Sequence, residues 1–268
     1  MHKFVALMRR YTFDYTNRQD FTACDTIMVP GYTLHMGTYD LTGRDEHYKP
    51  ATAKQFAQFP GLCLTINEIV TNGDRLCLRF SEHGASVKHA GARAAWSGIG
   101  LYKWDGERLT ENFVEQDYYS RREQLASGTP KALEMPALAP WDTEPLSSNV
   151  AAENVVRRAL ENGAWLGNEQ IIFDDAWCGG TPQRVLEPTT VRIDDLFSAG
   201  DRVAFRITQS GRLLEDFCTE GVNAPAGSDV VLHMTALVTV ADGRIVKGNV
   251  VRDRLGLYRR LQSTVAAH

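Results

Sequence analysis

Apolar residues change their spacing along this chain, and the change recurs. Phe4, Val5, Leu7, Met8, Tyr11 and Tyr15 follow the three-to-four-residue interval of one helix face. Asp20 stands where an N-cap would open a second helix through Met28, with Pro30-Gly31 closing it. GYTLHMG predicts a strand, and residues 42–59 a polar loop and then a helix that Pro60-Gly61 ends. From Leu62 the period becomes two: LCLTINEIV, a turn at Asn72-Gly73, then DRLCLRFSEH. AAWSGIGLYKW and RLTENFVEQDYY, joined by Asp105-Gly106, predict two more strands. Helices first and antiparallel strands afterwards is an α+β order.

The pattern then repeats. Residues 68–84 (EIVTNGDRLCLRFSEHG) return as 195–211 (DLFSAGDRVAFRITQSG), with Gly73, Asp74, Arg75, Arg79 and Gly84 matched by Gly200, Asp201, Arg202, Arg206 and Gly211. The spacing is the size of a small domain and not of a solenoid unit. NVAAENVVRRALENGAWL predicts a helix before the second hairpin, and HMTALVTVADGRIVKGNVVRD repeats the last two strands after it. The chain therefore divides into a domain over 1–127, a linker over 128–148 with four prolines, and a second domain over 149–268. Asn17 to Leu62 spans 45 residues, but Asn162 to Thr189 only 27, so the second copy is shortened and its cavity is expected to be incomplete.

Composition narrows the partners. With 43% apolar and 23% charged residues this is ordinary globular protein, and a net charge of −4 offers no attraction to nucleic acid. No segment approaches the roughly 18 apolar residues of a membrane span. Arg9 and Arg10 interrupt any signal-peptide core. The five cysteines have no CxxC spacing, and the Asn72-Gly73 turn would set Cys77 opposite Glu68 and not Cys63. Reduced thiols and a cytoplasmic setting are the expectation.

Phe59-Pro60-Gly61-Leu62, Gly73-Asp74-Arg75, His83-Gly84, Ile99, Asp105-Gly106, Glu111, Asp117 and Gln124-Leu125 follow one another in a familiar order. In that order they resemble the SnoaL-like polyketide cyclases of the nuclear transport factor 2-like superfamily. The resemblance implies two cones in tandem, each a curved antiparallel sheet wrapped around helices, paired through the outer faces of their sheets. Pairing within one chain would not preclude a homo-oligomer. It also implies acid/base chemistry without a cofactor on a hydrophobic, oxygenated small molecule, aromatic or polycyclic. A lyase or isomerase step that makes or breaks a C–C or C–O bond is expected; a non-catalytic binding or scaffold protein is the alternative.

Glu111, Phe113, Glu115 and Asp117 alternate along one strand and so share a face. The resemblance turns that face into the pocket and makes Asp117 the acid/base. His83 and His35 are expected to relay a proton or polarise oxygen, with Tyr39, Asp40 and Arg44 beside His35. Phe80, Trp96 and Phe113 would wall a ring, and His89 and Glu111 would complete the binding set. Glu82, His83 and His89 lack the spacing of a metal site. In the second copy Glu82, His83 and Glu111 give way to Gln209, Ser210 and Lys247, while Asp117 persists as Asp253. The working site is therefore expected in the first copy.

Overall fold

Lys3–Arg10 forms α1, capped by the His2 side chain and continued through residue 17 by a π-helical turn. The Asp20 carboxylate accepts the Thr22 N–H at 2.8 Å and opens α2, Phe21–Ile27. The computed structural model describes residues 1–163, 165, 167–177, 183–217 and 221–263. Strand β1, Met28–Met36, follows α2 at once and runs through Pro30-Gly31, which was expected to be a break. Its pairing with β6 is irregular between Met28 and Thr33, which is where a proline without an N–H is tolerated in a strand.

A short β2 (Tyr39–Thr42), a π-helical turn at 44–48 and α3 (Lys49–Gln58) lead to the hairpins. These are β3 (Cys63–Thr71), β4 (Arg75–Ser86), β5 (Ala92–Trp104) and β6 (Leu109–Gln116), closed by α4 (Tyr118–Ser127). The sheet order is β2-β1-β6-β5-β4-β3, with β1 and β6 parallel. The first hairpin turns one residue later than expected. Asn72 N–H bonds the Arg75 carbonyl, so Cys77 lies opposite Val70 and Cys63 opposite His83. Gly73 takes φ +97° there, a conformation that favours glycine.

The second copy is built from α5 (Val150–Asn162), β7 (Ile171–Phe173), α6 (Asp174–Trp177), β8 (Leu186–Ala199), β9 (Arg202–Leu213), β10 (Asp229–Ala241), β11 (Arg244–Arg252) and α7 (Arg254–Ser263). Its order, β7-β11-β10-β9-β8, repeats the first with one strand fewer among the described residues. Among the described residues no helix is long and apolar enough to cross a membrane.

The outer faces of the two sheets pack against each other. Val70, Cys77, Ile99, Leu101 and Phe113 meet Phe197, Ala199, Ala204, Leu237 and Val251 in a dry core. Thr235 Oγ1 donates to the Ile99 carbonyl at 3.0 Å across it. The repeated arginines seal its edge reciprocally: Arg75 pairs with Asp195, and Arg202 with Glu68 at 2.8 Å. The linker lies along β3, with Ala137 and Leu146 N–H groups bonded to Ile66 and Thr71 carbonyls. Replacing Leu237, which is fully buried, by Ala should cost about 2–5 kcal/mol in urea unfolding. Arg202→Ala should cost less, because Glu68 keeps Arg79 as a partner.

Candidate functional site

The concave face of the first sheet closes over the helices and leaves a cavity of about 240 Å³. Rings make up much of its wall: Tyr11, Tyr15, Tyr48, Phe56, Phe80, Tyr102 and Tyr118. Six polar side chains, Thr16, Thr52, Gln55, Glu82, Asn112 and Gln116, interrupt them. Strand alternation explains the membership. Phe80 and Glu82 on β4 face inward together, as do Asn112, Val114 and Gln116 on β6. Phe80 lies over Gly98 on the neighbouring strand, where a Cβ would come within 2.3 Å of its ring.

Glu82 is the carboxylic acid that lines this cavity. It is 5% exposed and accepts from Gln55 Nε2 at 2.9 Å and Trp96 Nε1 at 3.1 Å. Burial pushes its pKa up to about 7, against the opposing pull of the Arg121 charge and these two donors. Tyr118 donates to Gln55 Oε1 at 3.0 Å, so the amide that holds the carboxylate is itself held. Arg121 stacks 3.9 Å from the Tyr118 ring centre and 4.9 Å from that of Trp96. The phenols form a second polar group. Tyr11 and Tyr48 hydroxyls are 3.3 Å apart, and Tyr32 donates to Asn112 Oδ1 at 2.7 Å. The Tyr15 hydroxyl is buried beside Tyr48 and Thr52. Burial raises all these phenol pKa values, which keeps them donors at neutral pH.

Of the residues singled out from sequence, Phe80 lines this cavity, and Trp96 touches it through its bond to Glu82. The β6 face is the opposite of the expected one. Glu111, Phe113, Glu115 and Asp117 do share a face, but it is the convex face that meets the second domain. Asp117 caps α4 through Ser120 N–H and pairs with Arg254 at 2.8 Å, beside Asp174, so it sits in an interdomain ionic network. Burial raises its pKa to about 6, against the pull of Arg254. Phe113 stacks on His35 with centroids 4.3 Å apart. His35 bridges Asp40 at 2.6 Å and Glu111 at 2.8 Å, and Lys103 holds the other Glu111 oxygen.

The remaining residues also lie elsewhere. Tyr39 is exposed on β2, and Arg44 pairs with Asp25 and Asp45 and caps the Met28 carbonyl. His83 alternates with Glu82 and so faces away from the cavity, its pKa lowered by burial. His89 bonds Ser86 Oγ at 2.8 Å near the surface. Sequence reasoning counted Glu82 among the residues that the second copy loses, as Gln209, but gave it no place in the expected site. The tyrosines carried no signal, because apolar periodicity marks them only as core, and Gln55 carried none, because a polar helix residue reads as solvated. Among the described residues no three His, Cys, Asp or Glu side chains gather as a metal-binding group.

Two family models match the chain in tandem: a SnoaL-like domain over residues 9–112 and SnoaL-like polyketide cyclase over 141–261. The second match takes in nearly the whole of the second copy, its N-terminal helix included. No curated protein matches. Similar solved structures include a SnoaL-like protein of Jannaschia sp., 17% identical, covering 46% of this chain and 91% of its own with a TM-score of 0.43. TsrD from Streptomyces laurentii is 21% identical over 47% of this chain and 96% of its own, at a TM-score of 0.42. A Catenulispora acidiphila protein with a ketosteroid isomerase-like fold, solved with trimethylamine, is 19% identical over 45% and 92%, at 0.39. With two matched domains, two curved sheets and helices only partly retained in the second, the chain is a tandem SnoaL-like protein of the nuclear transport factor 2-like superfamily.

Proposed function

We propose that the first domain is a cofactor-independent acid/base enzyme, a lyase or isomerase, with Glu82 as the base. The observation that carries this reading is a carboxylate buried among phenols, tuned to about pH 7 and held in one orientation by Gln55 and Trp96. A base with its pKa near the working pH combines a populated charged form with useful proton affinity. Asp117, His83 and His35 are replaced in this reading because none of them lines the cavity.

The substrate would be a carbonyl compound with an acidic α C–H. Glu82 takes that proton, and the electron pair moves onto the carbonyl oxygen. The Tyr15 hydroxyl, on the cavity wall beside Tyr48 and Thr52, can turn to donate to the developing enolate. The enolate then expels a β-oxygen, takes its proton back at another carbon, or attacks a second carbonyl. These are dehydration, isomerisation and aldol cyclisation. A cavity of roughly 150 Å³ holds benzene, so 240 Å³ suits a one- or two-ring molecule and not a large polycycle.

Glu82→Gln should lose at least about 100-fold in turnover while still binding ligand. Asp117→Ala should lower the melting temperature and leave turnover per folded molecule intact. A panel of small aromatic and unsaturated ketones supplies the substrates. Wild type that binds members of the panel but turns none over would make this a binding protein.

The pH–rate profile of wild type should rise through pH 7 as Glu82 ionises; a flat profile from pH 5 to 9 argues for another base. Because the folded pKa of Glu82, about 7, exceeds its usual 4.5, its contribution to stability is full below 4.5 and fades as pH rises through 7. Glu82→Gln should therefore match wild type in urea unfolding near pH 4 and exceed it by up to about 3 kcal/mol above pH 8.

A further inference from the structure

The second domain, which has no counterpart of Glu82, nonetheless holds a cavity of about 450 Å³. It occupies the matching place in the second cone. Across the first sheet Glu82 lies opposite Trp96 and Phe80 opposite Gly98; across the second, Gln209 lies opposite Leu232 and Ile207 opposite Met234. Two consequences follow from these exchanges. Leu232 carries no polar side-chain atom, and Gln209 Nε2, in a side chain only 3% exposed, is buried with no acceptor among the described residues. An unpaired amide of that kind costs on the order of 1–3 kcal/mol, a cost that a ligand oxygen would relieve. Phe173, Val185, Leu186, Pro188, Leu232 and Met234 supply apolar walls that predominate over the polar Gln183, Arg184 and Arg252.

Arg252 also borders the cavity, but its donors are committed: to Asp174 at 2.5 Å, Asp175 at 2.7 Å and the Gln183 carbonyl at 2.7 Å. Arg184, largely exposed, also borders it and pairs with Glu187 at 2.6 Å, so a carboxylate or phosphate would have to compete for guanidinium groups that already hold carboxylates, and the adjacent Asp174 and Asp175 would repel it. A neutral molecule meets no such penalty.

We propose that the second cone is a separate, non-catalytic binding site for a neutral aromatic or aliphatic molecule bearing one carbonyl or ether oxygen, which accepts from Gln209 Nε2. This site is independent of the chemistry assigned to Glu82. It makes the tandem a pair of unlike cones, one with a base and one with a donor.

The two cavities carry separate reporters, Met36 in the first and Met234 in the second. Full-length protein labelled with 13C at methionine methyls is titrated with acetophenone and with its oxygen-free isostere α-methylstyrene. The Met234 signal should saturate with both, about 3- to 10-fold more tightly for the ketone, the worth of one hydrogen bond. Gln209→Leu should erase that preference. Leu232→Phe, which fills the cavity and keeps the donor, should abolish the Met234 response while Met36 responds as in wild type. A Met234 signal that ignores both probes overturns the proposal, as does a ketone preference that survives Gln209→Leu. Neither result bears on turnover at Glu82, which Glu82→Gln tests alone.

Discussion

The convex faces of the two sheets are buried against each other, and this contact decides which residues are available for chemistry. Ile99, Leu101, Leu237 and Val251 are excluded from water at its centre. Around them every buried charge has an opposite partner, as removal from water requires. Arg206 meets Glu115 and Asp194; Arg254 meets Asp117, Asp174 and Asp175. The price is visible at Glu115, whose pKa rises to about 8 through burial and the nearby Asp253 despite Arg206. Glu115 and Asp117 are thus committed to holding the domains together, and the cavity of the first cone is lined from the concave face of its sheet.

That division explains the unequal fates of the repeated residues. Arg75 and Arg202 persist because each reaches the other copy's hairpin, to Asp195 and Glu68, so the GDR turn is a joint. Asp117 and Asp253 persist because each caps the helix that follows its strand. Glu82 has no such structural duty, and the second copy replaces it with a neutral amide of similar shape. A group retained in both copies marks the scaffold. A concave group that differs marks the difference in chemistry.

Much of the fold was legible from local patterns. Asp20 predicts its helix because a side-chain oxygen can satisfy an N-terminal N–H without help from elsewhere. The hairpins over 62–86 and 190–211 follow from period-two alternation around a glycine turn. Pro30-Gly31 misled, since a proline reads as a break but a parallel edge with a bulge accommodates it. The first turn misled by one residue, because Thr71 Oγ1 and Asn72 Oδ1 bond inside it and close it on Gly73-Asp74.

Along β6 the sequence alone established that Glu111, Phe113, Glu115 and Asp117 point one way and Asn112, Val114 and Gln116 the other, since that parity is a property of any extended chain. It could not say which side is the cavity. A carboxylate-rich face is as compatible with a buried ionic interface as with an active site, and its partners Arg206 and Arg254 lie 91 and 137 residues away. The same holds for Glu82, whose neighbours Gln55, Trp96 and Tyr118 converge only when the sheet curls over α3 and α4. Composition and period determine elements and shared faces, and the burial of one face by a distant domain determines which face does chemistry.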